Sequence, residues 1–421
     1  MPEFAYGSGP PQPISPMKPE KVAEGVTIVR PLSRKGTGPG LIVLAPYNDS
    51  ETPLEIEHGI PGLRMKWAEE GYCVAEIRPH ASSSALETAV AKLGELHECE
   101  SKEKIGLVCY DPELFLSSAS ALETLQDRIV VAAIYADASQ HARLAASTSI
   151  PTIYHLTGKS DTKLRSTPDS KIYEYASIEN GQFAVPFYKD FHYATEAVSH
   201  TRNLTFLKQR MNGPYFDLEL LWDEHTYYEF ENRSVENTMA TMVEEPYVNH
   251  IPTLTGGIGR KNLTNFYRNH FIFSNPDDTE LELISRTVGV DRVVDEFIYK
   301  FTHDKTPDWL FPGVPPTYRK VEIPMMAVVN IRGDRLYHEH VSWDQATALR
   351  QIGLLPETLP LAVDAPNANG HTNGHVNGNG VAADKKFEVI LPVAGTDVVE
   401  KMRDKNGVES NKMFDFKAKE I

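Results

Sequence analysis

The stretch "KIGLVCYDPELF", Lys104 to Phe115, decides the reading of the first half of this chain. Its opening run is apolar without alternation, the mark of a strand buried on both faces. The run stops at Asp111, and Asp-Pro-Glu follows. These are a preferred N-cap, a residue pre-organised for the first helical position, and an acid suited to the first turn. A doubly buried strand feeding a helix belongs to a parallel sheet with helices on both faces.

The same texture extends to either side. "GLIVLAPY" (40–47), "YCVAEIRP" (72–79), "IVVAAIYA" (129–136) and "IPTIYHLTG" (150–158) are further buried strands, with helical patterns such as "GLRMKWAEEG" and "SALETAVAKLGEL" between them. An α/β domain is therefore expected over residues 21–212. After residue 212 the texture changes. Helical patterns come first ("DLELLWDEHTYYEFENRSVENTMATM", "GGIGRKNLTNFYRNHF"), then long strands ("ELELISRTVGVDRVVDEFIYKFTH", "KVEIPMMAVVNIRGDRLYHEHVSW"). Helices followed by an antiparallel sheet predict an α+β domain over 213–362, with Arg332-Gly333-Asp334 as a hairpin turn. Residues 1–20 are expected to be a flexible arm. The Asn-, Gly- and His-rich stretch 363–384 is expected to be a linker, and 385–421 a docking segment whose "KKFEVILPVAG" returns as a strand, on this subunit or a neighbour.

Bulk properties bound the function. A chain of 421 residues exceeds one ordinary core. Its formal charge of -16 excludes a partner that needs a basic surface, so neither nucleic acid nor an anionic membrane is expected. Three cysteines make no disulfide framework, no run of eighteen apolar residues exists, and the N-terminus has no apolar signal core. A cytoplasmic protein acting on a small molecule is expected. Gly256, Gly257 and Gly259 do not follow a strand of a βαβ unit, so no dinucleotide cofactor is expected.

The first domain resembles a dienelactone hydrolase, a branch of the α/β-hydrolases, over most of residues 25–210. "WAEEGYCVAEIRP", "KIGLVCYD", "IPTIYHLTGKSD" and "FYKDFHYATEAVSHTRNLTFLKQRM" carry the resemblance. It implies that Asp161 holds the acid position, His192 the general base, and Asp111 the nucleophile position, where the family has cysteine. An elbow needs small residues two before and two after its nucleophile, and here they are Cys109 and Glu113. Asp111 as a carboxylate nucleophile and Asp111 as a plain helix cap are both open, with the cap preferred. Cys109 is out of register and reads as a buried core thiol.

Residues of about 215–360 resemble a SnoaL-like polyketide cyclase, a domain of the NTF2-like α+β cone class. The resemblance rests on "PYVNHIPTLTGGIG" (246–259), "SRTVGVDRVVDEFIYKFTHD" (285–304), "FPGVPPTYRKVEIP" (311–324) and "EHVSWDQATALRQIGLLP" (339–356). Strand alternation puts Asp295, Phe297, Tyr299, Phe301 and His303 on one face, a lining suited to an apolar pocket with polar anchors. On the next strand it sets His338 and His340 opposite Tyr337, Glu339, Val341 and Trp343. The resemblance implies Asp344 as the proton-transfer carboxylate, assisted by His303 and His250. Arg286, His340 and Trp343 join the expected substrate-binding set. Asp344 also precedes "QATALRQIG" and suits a helix cap equally well. His250, His303 and His340 share no i, i+4 spacing, so no metal is expected. The resulting expectation is a cofactor-free acid/base enzyme for a carbonyl-bearing substrate, acting as cyclase, isomerase, dehydratase or lactone-opening enzyme. A hydrolase using Asp111 (or Cys109), His192 and Asp161, and a non-catalytic binding protein, are the alternatives. The NTF2-like resemblance implies a homodimer.

Overall fold

A computed structural model describes residues 11–14, 16–46, 56–57, 59–363 and 385–421. The expected arm is thus described only in part, and the expected linker lies outside the described residues except for Val363.

Two mixed sheets organise the chain. The first runs, in spatial order, Glu20–Ala23, Val26–Val29, Cys73–Ile77, Gly40–Leu44, Ile105–Cys109, Ile129–Asp137, Thr152–Thr157 and Ser170–Tyr175. The last six are mutually parallel, while Val26–Val29 runs antiparallel to Cys73–Ile77. Every residue of Gly40–Leu44, Cys73–Ile77 and Ile105–Cys109 is buried, as uninterrupted apolar runs demand. Two apolar clusters, one per face, seat helices such as Ala85–Glu95 and Tyr193–Met211.

The second sheet has the order Thr255–Ile258, Met242–His250, Arg335–Trp343, Lys320–Arg332, Arg292–Thr302, Glu280–Val288. The helices Leu218–Thr226, Val235–Ala240 and Gly259–Phe266 pack on its inner face through a third cluster rich in rings, among them Trp222, Phe266, Phe271, Phe297, Tyr299, Trp309 and Trp343. Two of these helices continue into single wide, π-type turns, Tyr227–Glu231 and Tyr267–Phe271. The segment Lys385–Ile390 does return as a strand, but onto Thr358–Val363 of its own chain. Helix Asp397–Arg403 then lies on the sheet's outer side, with Arg403 bonded to Glu282 and Glu322.

The hairpin turn at Gly333-Asp334 locks the two sheets together. The buried Asp334 carboxylate accepts from the Arg34 amide at 2.7 Å and the Lys35 amide at 2.9 Å. The Arg34 guanidinium bonds both oxygens of the buried Glu224, at 2.6 and 2.9 Å. Arg332 reaches Glu69 at 2.9 Å, and the Tyr193 and Tyr337 hydroxyls meet at 2.9 Å. Gly333 has φ +58, and a Cβ there would fall 2.3 Å from the Glu69 carbonyl, so only glycine permits this approach.

Candidate functional site

In the first domain the three residues expected to form a triad are apart in function. Asp111 caps helix Pro112–Ser117, accepting from the Glu113 and Leu114 amides, each at 3.1 Å. His192 is exposed and caps Tyr193–Met211, its Nδ1 facing the Thr195 hydroxyl at 2.8 Å. Asp161 is exposed. Among the described residues no hydrogen bond joins any two of them. The Cys109 thiol is buried, its pKa pushed up by burial, and it donates to the Asp111 carbonyl. The local cap chemistry has claimed the carboxylate.

In the second domain Asp344 is exposed and caps helix Gln345–Gln351, accepting from the Ala346 amide at 3.0 Å and the Thr347 hydroxyl at 2.6 Å. It is a cap facing solvent, not an acid inside an apolar cavity. His303 is buried against Phe301 and Phe311, with Nδ1 on the Thr317 hydroxyl at 2.9 Å. His250 is buried among Phe266, Phe271, Trp309 and Trp343, and burial pulls its pKa down to about 3. Tyr299 donates to Asn275 at 3.0 Å, and Trp343 donates to Gln345 at 2.5 Å. These rings fill the space between the helices and the second sheet as core. His340 lies away from these rings: it stacks on His338, ring centroids 4.6 Å apart, beside Tyr247 on the opposite face of the sheet.

Three of the expected residues do converge, at a groove of about 660 Å³ between helix Leu218–Thr226 and strands Glu280–Val288 and Arg292–Thr302. Arg286 and Asp295 are directly opposed across the strand pair. Arg286 donates from Nε and Nη2 to the two Asp295 oxygens, each at 2.8 Å, and from Nη1 to Asp223 at 2.9 Å and Glu219 at 3.1 Å. Its hydrogen bonds to Asp295, then to Asp223, hold it firmly protonated. Trp222 donates to Asp295 Oδ2 at 2.8 Å. Asp295 is only 5% exposed, at the groove floor. The helix presents Glu219, Trp222, Asp223 and Thr226 to the groove at i, i+3, i+4 and i+7, one face of the helix. Tyr227, Phe230 and Phe297 complete an aromatic wall. Five lining carboxylates (Glu219, Asp223, Glu231, Glu280, Asp295) stand against one guanidinium, so the groove disfavours anions.

Sequence reasoning missed a second group directly behind Trp222. His225, stacked on Trp222 with centroids 5.7 Å apart, sits buried with Glu229, Glu339 and Tyr267. His225 Nε2 is 3.2 Å from Glu229 and 3.1 Å from Glu339. Burial lowers the His225 pKa, but the two carboxylates outweigh it and raise it to about 10. Burial pushes the Glu229 carboxyl up. The i, i+4 spacing of His225 and Glu229 was the available signal; Glu339 comes from a distant strand.

No protein-family model matches the chain, and no curated protein matches it. Among solved structures, about a third of this chain is similar to proteins that it covers over most of their own length. A ketosteroid isomerase-like protein of Catenulispora acidiphila, solved with trimethylamine, shares 12% identity at a TM-score of 0.26, covering 32% of this chain and 93% of its own. A protein of Shewanella putrefaciens assigned as a SnoaL-like polyketide cyclase shares 12% at 0.28, covering 32% and 85%. One of Acidithiobacillus ferrooxidans assigned as a polyketide cyclase shares 16% at 0.27, covering 31% and 91%. Among the described residues no helix is long and apolar enough to cross a membrane.

Proposed function

We propose that the second domain takes a small neutral or cationic molecule into the groove and moves a proton on it, with Asp295 and Asp223, bridged by Arg286, as the reacting carboxylates. One observation carries this reading: a single guanidinium fixes two carboxylates of unequal solvation, Asp295 buried and Asp223 exposed, beside an aromatic wall. Carboxylates held in different surroundings can divide the acid and base roles. The wall of Trp222, Tyr227, Phe230 and Phe297 suits a flat or aliphatic body, and a carbonyl-bearing substrate would place its acidic carbon or leaving oxygen against the polar end. Isomerisation, cyclisation, dehydration and lactone opening all begin with such a proton transfer. The work expected of Asp344 thus moves to Asp295 and Asp223.

A second reading, ligand binding without chemistry, is favoured by one fact. The Asp295 oxygens already accept three hydrogen bonds from Arg286 and Trp222. The first domain in this account is a degenerate α/β-hydrolase, a reading supported by its strand order, its one antiparallel second strand and the place of Asp111 after Ile105–Cys109.

The test is exchange of protons next to the carbonyl for deuterium, followed by NMR on a panel of cyclic ketones and lactones. Asp295→Asn should lower exchange by roughly 10²–10⁴-fold while ligand affinity holds. Undiminished exchange in that variant removes Asp295 from the reaction. Binding without exchange in the native chain leaves the non-catalytic reading.

A further inference from the structure

The buried group behind Trp222 is built like a metal centre. Four side chains from four elements of the fold point polar atoms at one spot: His225 from helix Leu218–Thr226, Glu229 from the wide turn after it, Tyr267 from the second wide turn, and Glu339 from strand Arg335–Trp343. None is more than 4% exposed. His225 Nε2 lies 3.2 Å from Glu229 Oε1 and 3.1 Å from Glu339 Oε1. The Tyr267 hydroxyl is 3.4 Å from that nitrogen and 3.5 Å from Glu339 Oε1. A tetrahedral ion with nitrogen and oxygen ligands at about 2.0–2.1 Å has ligand-to-ligand edges of about 3.3–3.4 Å. The observed separations are of that size.

The hydrogen bond on the far side of the imidazole fixes its tautomer. The Thr241 hydroxyl donates to the Thr238 carbonyl at 2.7 Å, so toward His225 Nδ1, at 2.5 Å, it can only accept. Nδ1 therefore carries the hydrogen. This is the outer hydrogen bond that a ligating histidine makes. Nε2 then turns its lone pair on two carboxylates, an arrangement that requires positive charge between them. A proton there gives an imidazolium between two carboxylates, and in a site sealed from water, where unbalanced charge is costly, this balances only when one of the two carboxyls also takes up a proton. A divalent cation on a neutral imidazole balances the two carboxylates. The two wide turns, each closing the C-terminal end of its helix, bring Glu229 and Tyr267 to the same spot.

We infer that His225, Glu229, Glu339 and Tyr267 form a closed structural site for one divalent transition-metal ion of the zinc type. The ion would pin both helices to the sheet. The Trp222 ring separates it from the groove, so the site stands whether or not the groove is catalytic.

The full chain, stripped with chelator, is titrated with Co2+ and Zn2+ and followed by visible absorption and thermal unfolding. Stoichiometric uptake, a tetrahedral cobalt spectrum and a Tm rise of roughly 3 °C at a hundredfold excess over Kd are expected. Glu339→Gln and Glu229→Gln should abolish all three, while the surface change Glu236→Gln keeps them. Should a variant not fold, the native titration alone decides. No stoichiometric uptake with an unchanged Tm overturns the proposal and leaves a proton as the cation.

Discussion

Replacing Asp334 by alanine should loosen the whole molecule, because that one carboxylate holds the loop of the other domain by its backbone. Asp334 is fully buried and accepts two amide hydrogens, from Arg34 at 2.7 Å and Lys35 at 2.9 Å. Hydrogen bonds to a charged group contribute about 1.5–3 kcal/mol each, and the orphaned amides lose partners they cannot replace without water. Breaking a buried charged contact on one side costs about 3–5 kcal/mol in comparable cases, so a loss of that size is expected. Arg335 adds to it: burial lowers its pKa to about 10 while Asp334 opposes that fall, so the cation also loses support. Asp334→Asn keeps one acceptor oxygen and should lose about half as much. Urea unfolding read by far-UV circular dichroism and by tryptophan fluorescence tests this, since Trp67 reports the first domain and Trp222, Trp309 and Trp343 the second. The two probes should coincide in the native chain and separate in the variant. A loss below about 1 kcal/mol with coincident transitions would refute the claim that the hairpin couples the domains.

Two further outcomes follow from the site geometry. Asp111→Ala and Asp344→Ala should each cost about 1 kcal/mol of stability, the worth of a helix cap, and neither should abolish any activity the protein proves to have. Asp344→Ala lacking all turnover would restore that residue to the reaction. Acid should destabilise the fold early. Burial lowers His155, His250 and His338 from 6.5 to about 3, so between those values the unfolded chain binds protons the folded chain refuses. The contribution of these three histidines is full above pH 6.5 and falls toward pH 3 by up to about 1.4 kcal/mol per pH unit per histidine. A flat urea midpoint between pH 7 and 4.5 would contradict these burials.

What the sequence disclosed follows the reach of local patterns. Gly40–Leu44 and Ile105–Cys109 could be read because every residue in them is apolar and buried. Glu20–Ala23 and Ser170–Tyr175 are edge strands of largely polar, incompletely buried residues, and no apolar run marks them in the sequence. Alternation placed Asp295 and Phe297 on the inner face, and it also set His340 opposite Glu339. Asp344 shows the reverse limit: a cap and a catalytic acid look alike in sequence, and only exposure separates them. The group around His225 was hidden because it draws on Glu339, over a hundred residues away, and because two wide turns shift the helical register without any mark in composition.

The chain does not pass once from the first domain to the second. Gln12, near the start, already lends its carbonyl to Arg335 at 3.0 Å, and the tail comes to rest on the second sheet through Arg403. The first domain is therefore a loop of chain that leaves the second domain and returns to it, clasped at the hairpin. A single backbone cut after the exposed Asn212 would sever the covalent link yet release neither half. The two fragments would travel together as a nicked complex until denaturant parted them.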